Sequence, residues 1–318
     1  MVILLRNAAG AVAAFGLLLS IPAFGQSASG TSSVETEDDS ITVTGRRPAT
    51  RSEVSRQADQ ITPRNGNPRR NPLARFEKPV CPGVIGMPEA WAEHLVGRVR
   101  HVAGLVGMDV APENACDPNV LVVFVPSARD GLAQVEKVFP DMFRRMSLQE
   151  RERLREDTGA VRVVTASVER TRDGFDVPPR TGSGSPPVVS VPLAFSRIFL
   201  TTREDIESVI LLIEARAAGG MSVVQLADYV AMRSFAETRH PPEDVLAMDT
   251  ILTLFEPGAS APQSLTDFDL AYLRSLYDGI PNMPATTRTL GLNRQLRRME
   301  QDGTGIAEPD LTETGEGE

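Results

Sequence analysis

The sequence predicts an α+β chain, with a mixed α/β arrangement as its near variant: one central mixed sheet with helices, followed by a helical carboxy-terminal half. Three observations predict it. Residues 119–125 form a continuous apolar run bounded by prolines, the composition of a strand covered on both faces. Between Glu89 and Val106, the side chains Trp91, Leu95, Val99, Val102 and Val106 recur at three- and four-residue steps, which places them on one face of a helix. Beyond Gly219 and Gly220 the periodicity is helical almost to the end of the chain.

Taken in order, residues 80–84 read as a short strand ahead of that first helix. The apolar strand at 119–125 is followed by amphipathic helices at 129–139 and 147–157. The second of these opens on a capping box, Ser147 with Glu150 three residues on. Residues 161–168 read as a strand, 181–187 as a Gly/Ser/Pro loop, and 188–193 and 197–201 as extended. Residues 207–214 either pair as a strand or begin a helix. Ser222 caps a helix running to about residue 237, Thr266 with Asp269 caps another over 266–277, and the last helix spans 288–299. No repeat recurs at a period of 20 to 50 residues.

The ends read differently from the middle. Residues 1–25 have a short positive start at Arg6, an uncharged apolar stretch over 8–19 and a small-residue cleavage site before Gln26, the three parts of a secretory signal. The stretch is shorter than the roughly 20 apolar residues of a spanning helix, which favours cleavage over a retained anchor and a periplasmic or secreted product without a membrane span. Residues 26–75 are rich in Ser, Thr, Asn, Pro and Arg, and the expectation is a disordered leader. A single domain over 76–300 and a disordered acidic tail over 301–318 complete the organisation.

Cys81 and Cys116 are the only cysteines, and an even pair in an exported chain is the pattern of one structural disulfide. Both stand beside prolines at element ends; neither belongs to a CxxC motif or has an adjacent His. A net charge of −9 argues against nucleic acid as a partner. One tryptophan and three tyrosines argue against stacking platforms for single strands.

Candidate chemistry is sparse. There is no GxSxG elbow, SxxK or P-loop. His94 and His101 lie seven residues apart on the first helix, about 10.5 Å of rise, too far to share an ion and better read as a solvated polar stripe. The carboxylates Glu204, Asp205 and Glu207 read as a solvated turn, with opposed-carboxylate glycosidase chemistry as the alternative. Arg144, Arg145, Arg151, Arg153 and Arg155 alternate with Glu150, Glu152 and Glu156, as ion pairs on a wet helix do. The remaining candidates for catalysis are His240, in a loop before two prolines, and Asp228, on the helix after Ser222.

Three stretches of the second half carry a family resemblance: Ser222-Val223-Val224-Gln225-Leu226-Ala227-Asp228-Tyr229-Val230-Ala231-Met232-Arg233, Leu265-Thr266-Asp267-Phe268-Asp269, and Ala271-Tyr272-Leu273-Arg274-Ser275-Leu276-Tyr277. They resemble an uncharacterised secreted bacterial family with a zincin-like, metalloprotease-related fold. The resemblance makes the first stretch the active-site helix and the others the helix behind it. A zincin holds zinc with two His at i and i+4 and uses the Glu between them to activate water. This helix has no His, so the resemblance implies a degenerate zincin with no metal and no cofactor. In the leader, Ile41-Thr42-Val43-Thr44-Gly45-Arg46-Arg47 resembles the Val-Thr-Gly-Arg segment near the mature start of TonB-dependent receptors; a β-prone patch in a linker explains it as well.

The function expected from these readings is a non-catalytic envelope module that binds an envelope protein or ligand on a zincin-like scaffold. The alternatives are a hydrolase of unrecognised type built on His240 and Asp228, and an assembly factor that reaches its partner through the leader.

Overall fold

A computed structural model describes residues 50–63, 71–113, 115–144, 146–178, 196, 198–241 and 249–305. The signal, the leader up to residue 49, the 181–187 loop, the 188–193 strand and the tail from 306 lie outside the described residues. Five strands form one mixed sheet: β1 (Arg75–Phe76), β2 (Pro82–Ile85), β3 (Val120–Val125), β4 (Val161–Thr171) and β5 (Thr202–Glu214). β4 runs antiparallel along one whole side of β5, from Val161 opposite Ile213 to Thr171 opposite Thr202, with a bulge between Ala166 and Ser167. The other side of β5 is shared in tandem by β1, paired at Asp205 and Ile206, and β3, paired from Val209 to Glu214, both parallel. β2 continues the sheet, parallel to β3. The α+β expectation therefore holds, and residues 207–214 pair as a strand.

β3 and the second half of β5, from Val209 to Ile213, are apolar because both of their faces are covered. Val120 and Val122 of β3, with Val209, Leu211 and Ile213 of β5, belong to one core cluster; Ile210 and Leu212, one residue out of phase, belong to another. The larger cluster is built by α1 (Arg51–Ile61), α2 (Glu89–Val106), α6 (Val223–Phe235), α7 (Asp267–Tyr277) and α8 (Ala285–Asp302). The smaller one is closed by Leu132 and Val135 of α3 (Ala128–Val138) and Phe143 of α4 (Pro140–Phe143), with Leu154 of α5 (Leu148–Glu156) packed against it. Local signals set most boundaries: the capping boxes at Ser147, Ser222 and Thr266 all form, and Gly107 ends α2 in the left-handed conformation. Gly86 follows β2 at φ 84°, where a Cβ would stand 2.5 Å from the Phe124 carbonyl oxygen. That turn requires glycine.

The structure corrects several expectations. The leader is not disordered throughout, because Thr50 and Glu53 form a further capping box and start α1. Val54, Ala58 and Ile61 recur along one stripe of that helix, and all three are buried in the main core. The polar composition around the stripe concealed it. Ile61 is 0% exposed, so Ile61→Ala is expected to lower stability by about 2–3 kcal/mol, read from chemical denaturation; a disordered leader would give no change.

Trp91 does not share the buried face of α2, for it is 58% exposed while Leu95, Val99 and Val102 are 0% exposed. It stands in the first turn, where it borders an open hollow together with Val223 and Val224 of α6. Residues 198–201 are not a strand, and β5 starts at Thr202. The arginines of α5 pair outside their own helix: Arg155 with Glu136 of α3, and Arg151 with the Phe143 carbonyl. Among the described residues, no helix is long and apolar enough to cross a membrane. Cys81 and Cys116 lie at disulfide distance, with S–S 1.98 Å and Cα–Cα 6.2 Å.

Candidate functional site

Asp228 lies in the middle of α6, a helix with every residue from Gln225 to Phe235 buried. Both of its carboxylate oxygens are engaged. Arg98 of α2 donates to both oxygens, Nε to Oδ1 at 2.7 Å and Nη2 to Oδ2 at 2.9 Å, and the Leu265 amide donates to Oδ2 at 2.6 Å. A bidentate Arg–carboxylate pair is the strong geometry for such a contact. It ties α6 to α2 and to the segment before α7, so the described contacts give Asp228 a structural role. Asp269 plays a similar part at the start of α7, accepting from the Thr250 hydroxyl, the Ile251 amide and the Thr266 hydroxyl and amide. Burial nevertheless pushes its carboxyl up to about 6, against these hydrogen bonds.

His240 is not joined to Asp228 by any described contact. It lies past the end of α6, with Nδ1 3.1 Å from Glu256 Oε1 and Nε2 3.8 Å from Asp157 Oδ2. Burial, then the nearby Arg233 guanidinium, lower its pKa, while Asp157 and Glu256 pull the other way. A neutral ring that donates from Nδ1 to Glu256 leaves Nε2 as an acceptor. The fully buried Tyr229 hydroxyl, without a hydrogen-bond partner, feels the same three charges, Arg233, Glu256 and Asp157. The base-like geometry therefore exists, but no described contact places a Ser, Thr or Cys nucleophile against it.

His94 and His101 are both exposed on α2, as a solvated stripe requires. With Trp91, Arg98, Val223 and Val224, His94 borders a shallow hollow of about 550 Å³ between the first turns of α2 and α6.

The more informative cavity is at the opposite end of α6. A cleft of about 280 Å³ opens along the outer side of β4, between α5 and the segment that follows α6. Val163, Thr165 and Ser167 of β4 form its floor by strand alternation. Met142, Met146 and Leu154 make an apolar wall, and Glu150, Glu204, Glu237, Arg233 and Arg239 supply charge. Pro63, Glu204 and Glu237 also line a smaller hollow behind it, next to residues 71–74.

Glu204 is not in a solvated turn. It lies within β5 and accepts a hydrogen bond of 2.6 Å from the Ser167 hydroxyl. Its neighbours Asp205 and Glu207 are also in β5: Asp205 is 1% exposed and bound by Arg203 and Arg170, while Glu207 pairs with Arg170 and Lys78. The run read as a turn is thus half of an ion-paired strand end. Burial raises the Glu204 pKa against the Ser167 bond, with Glu169, Glu150 and Asp205 adding to the rise.

Glu237 was missed in the sequence. It follows α6 in irregular chain, deep in the fold yet only partly covered, and no described hydrogen bond or ion pair holds its carboxyl. Burial, then Glu204 and Glu150, push that carboxyl up to about 8. Two carboxyls 33 positions apart in the chain thus share one cleft, and no described ion pair neutralises either. Burial and mutual repulsion both disfavour the doubly ionised state of this pair. Among the described residues, no group of three or more His, Cys, Asp or Glu could hold a metal ion. Comparison with protein-family models, with curated proteins and with solved structures finds no match for this chain.

Proposed function

We propose that this chain is an exported, non-catalytic binding module, with the cleft along β4 as its ligand site and a zincin-like scaffold as its frame. One observation carries the reading: Glu237 lines a preformed cleft with a mixed polar and apolar lining, and no described hydrogen bond or ion pair holds its carboxyl. Buried carboxyls are normally paired, and a desolvated titratable group in a cleft is the physical signature of a site. The scaffold part is supported by the order of elements, strand–helix–strand, then further strands, then the late helix α6 packed on α2. The exported location is supported by the leader's three-part pattern and by the cysteine pair at disulfide distance.

The cleft is tested by thermal-shift screening of the purified chain beside Thr165→Trp, which fills the floor. Compounds that raise Tm are expected to do so for the parent chain only. Equal shifts in both, or stoichiometric zinc in the purified protein, overturn the reading. The carboxyl itself is tested by Glu237→Gln. Because the folded pKa, about 8, lies above the ordinary 4.5, the stability that Glu237 confers is complete below about pH 4.5 and is lost as pH rises through about 8. Glu237→Gln is therefore expected to flatten the fall in stability across that window and to be the more stable chain above it. Denaturant melts at pH 5 and pH 8.5 measure this.

The second reading, a hydrolase, rests on His240 oriented by Glu256 and not on Asp228. It predicts an ester- or peptide-cleaving activity that His240→Ala abolishes without a change in stability.

A further inference from the structure

The cleft's chemistry narrows what it can hold, on the reading that it is a ligand site. Its volume, about 280 Å³, is at the small end of ligand pockets, about 300–1,000 Å³, so the occupant is a small molecule or the end of a chain. Its charged groups come from every surrounding element: Glu150 from α5, Glu204 from β5, Arg233 from α6, and Glu237 and Arg239 from the segment after α6, with Glu169 of β4 acting on Glu204. Glu150 is already engaged, its carboxylate capping the Ser147 amide and hydroxyl. Glu237 has no described partner, and Glu204 has only the Ser167 hydroxyl. These two carboxyls are acceptors in want of a donor.

A second, independent observation comes from Arg233. It is 8% exposed and lines the cleft, and although its Nη1 donates to the Thr238 carbonyl at 2.6 Å, no described hydrogen bond uses its Nη2. A guanidinium N–H without a protein acceptor is available to donate to an occupant of the cleft. Carboxyls without a donor, a donor without an acceptor and an apolar wall together describe one kind of ligand.

We propose that the cleft binds a small amphiphile bearing a primary ammonium group beside an acceptor oxygen, the amide of an aliphatic amino acid being its simplest form. The ammonium lies between Glu204 and Glu237, the oxygen accepts from Arg233, and the aliphatic chain covers Met142, Met146 and Leu154. Entry of the cation favours the ionised form of both carboxyls, so binding releases a proton to solvent.

The test is titration calorimetry of the full chain with L-leucinamide at pH 7, in phosphate and in MOPS. The expected result is saturable binding with heats that differ between the buffers by the released proton. Glu237→Gln is expected to weaken binding about tenfold or more, as loss of one charge-assisted hydrogen bond does, and to abolish the buffer dependence. Circular dichroism and denaturant melts establish that the variant is folded, and Glu237→Asp, which keeps the charge, is expected to restore part of the affinity. Three results overturn the proposal: no binding of L-leucinamide, binding without proton release, or equal binding to the parent chain and Glu237→Gln. The carboxylate 4-methylpentanoate separates this proposal from the reading it rests on. If that compound binds and Thr165→Trp blocks it while L-leucinamide fails, the cleft remains a ligand site and the ammonium assignment falls.

Discussion

Arg98→Ala is expected to lower the free energy of unfolding by about 3–5 kcal/mol, the cost of leaving one member of a buried ion pair alone. The carboxylate it strands is 0% exposed, and only the Leu265 amide remains to hold it. Asp228→Ala leaves a different orphan, a guanidinium whose side chain is 24% exposed and can turn toward water. Its expected cost is smaller, about 2–3 kcal/mol, mostly from the unpaired Leu265 amide and the lost bonds. The ranking is the informative part, together with the double variant, which should cost clearly less than the sum of the two. Equilibrium unfolding in guanidinium of the three variants measures it. A stable Asp228→Ala chain that has lost a function would show that the residue is not the staple its hydrogen bonds describe.

Replacing both Cys81 and Cys116 by serine is expected to lower stability by about 4 kcal/mol, the chain-entropy value for a cross-link spanning the observed separation of 35 residues. The link joins the residue just before β2 to the loop that enters β3. The same junction is held by the Cys81 amide, which donates to Asn119 Oδ1 at 2.8 Å, and by the Asn119 amide, which donates to the Cys81 carbonyl at 3.0 Å. With the native geometry fixed in this way, loss of the bond acts chiefly by freeing the unfolded chain. A reducing agent should therefore shift the parent's denaturation midpoint down to that of the double serine variant. Identical midpoints with and without reductant would mean the thiols are free in the native protein, and the exported location would lose its structural support.

How much was legible beforehand depended on whether the signal was local. The capping boxes at Ser147, Ser222 and Thr266 lie within four residues of one another's partners, and each forms where its spacing predicted. Thr50 and Glu53 carried the same signal, but α1 buries only a narrow stripe, Val54, Ala58 and Ile61, within a strongly polar segment. Trp91 had the right period for the buried face of α2 and the wrong end of the helix, since periodicity gives direction around an axis and not the extent of the neighbours that cover it. Asp228 and His240 were candidates by residue type and by their places on, and just after, the helix that opens at Ser222. The fold sends one to Arg98 and the other to Glu256, with no described contact between them.

By itself, the sequence determined the class of the fold, the start of most helices, the two-sided cover of β3 and the single possible pairing of its cysteines, because these follow from hydrogen bonding and hydrophobic period over a few residues. Only the tertiary structure decided which charges meet. Glu204 and Glu237 come from different elements and share a cleft because β5 and the segment after α6 converge at the edge of β4. Electrostatic environment depends on burial and on neighbours remote in the chain, and neither is written at the position of the residue they act on.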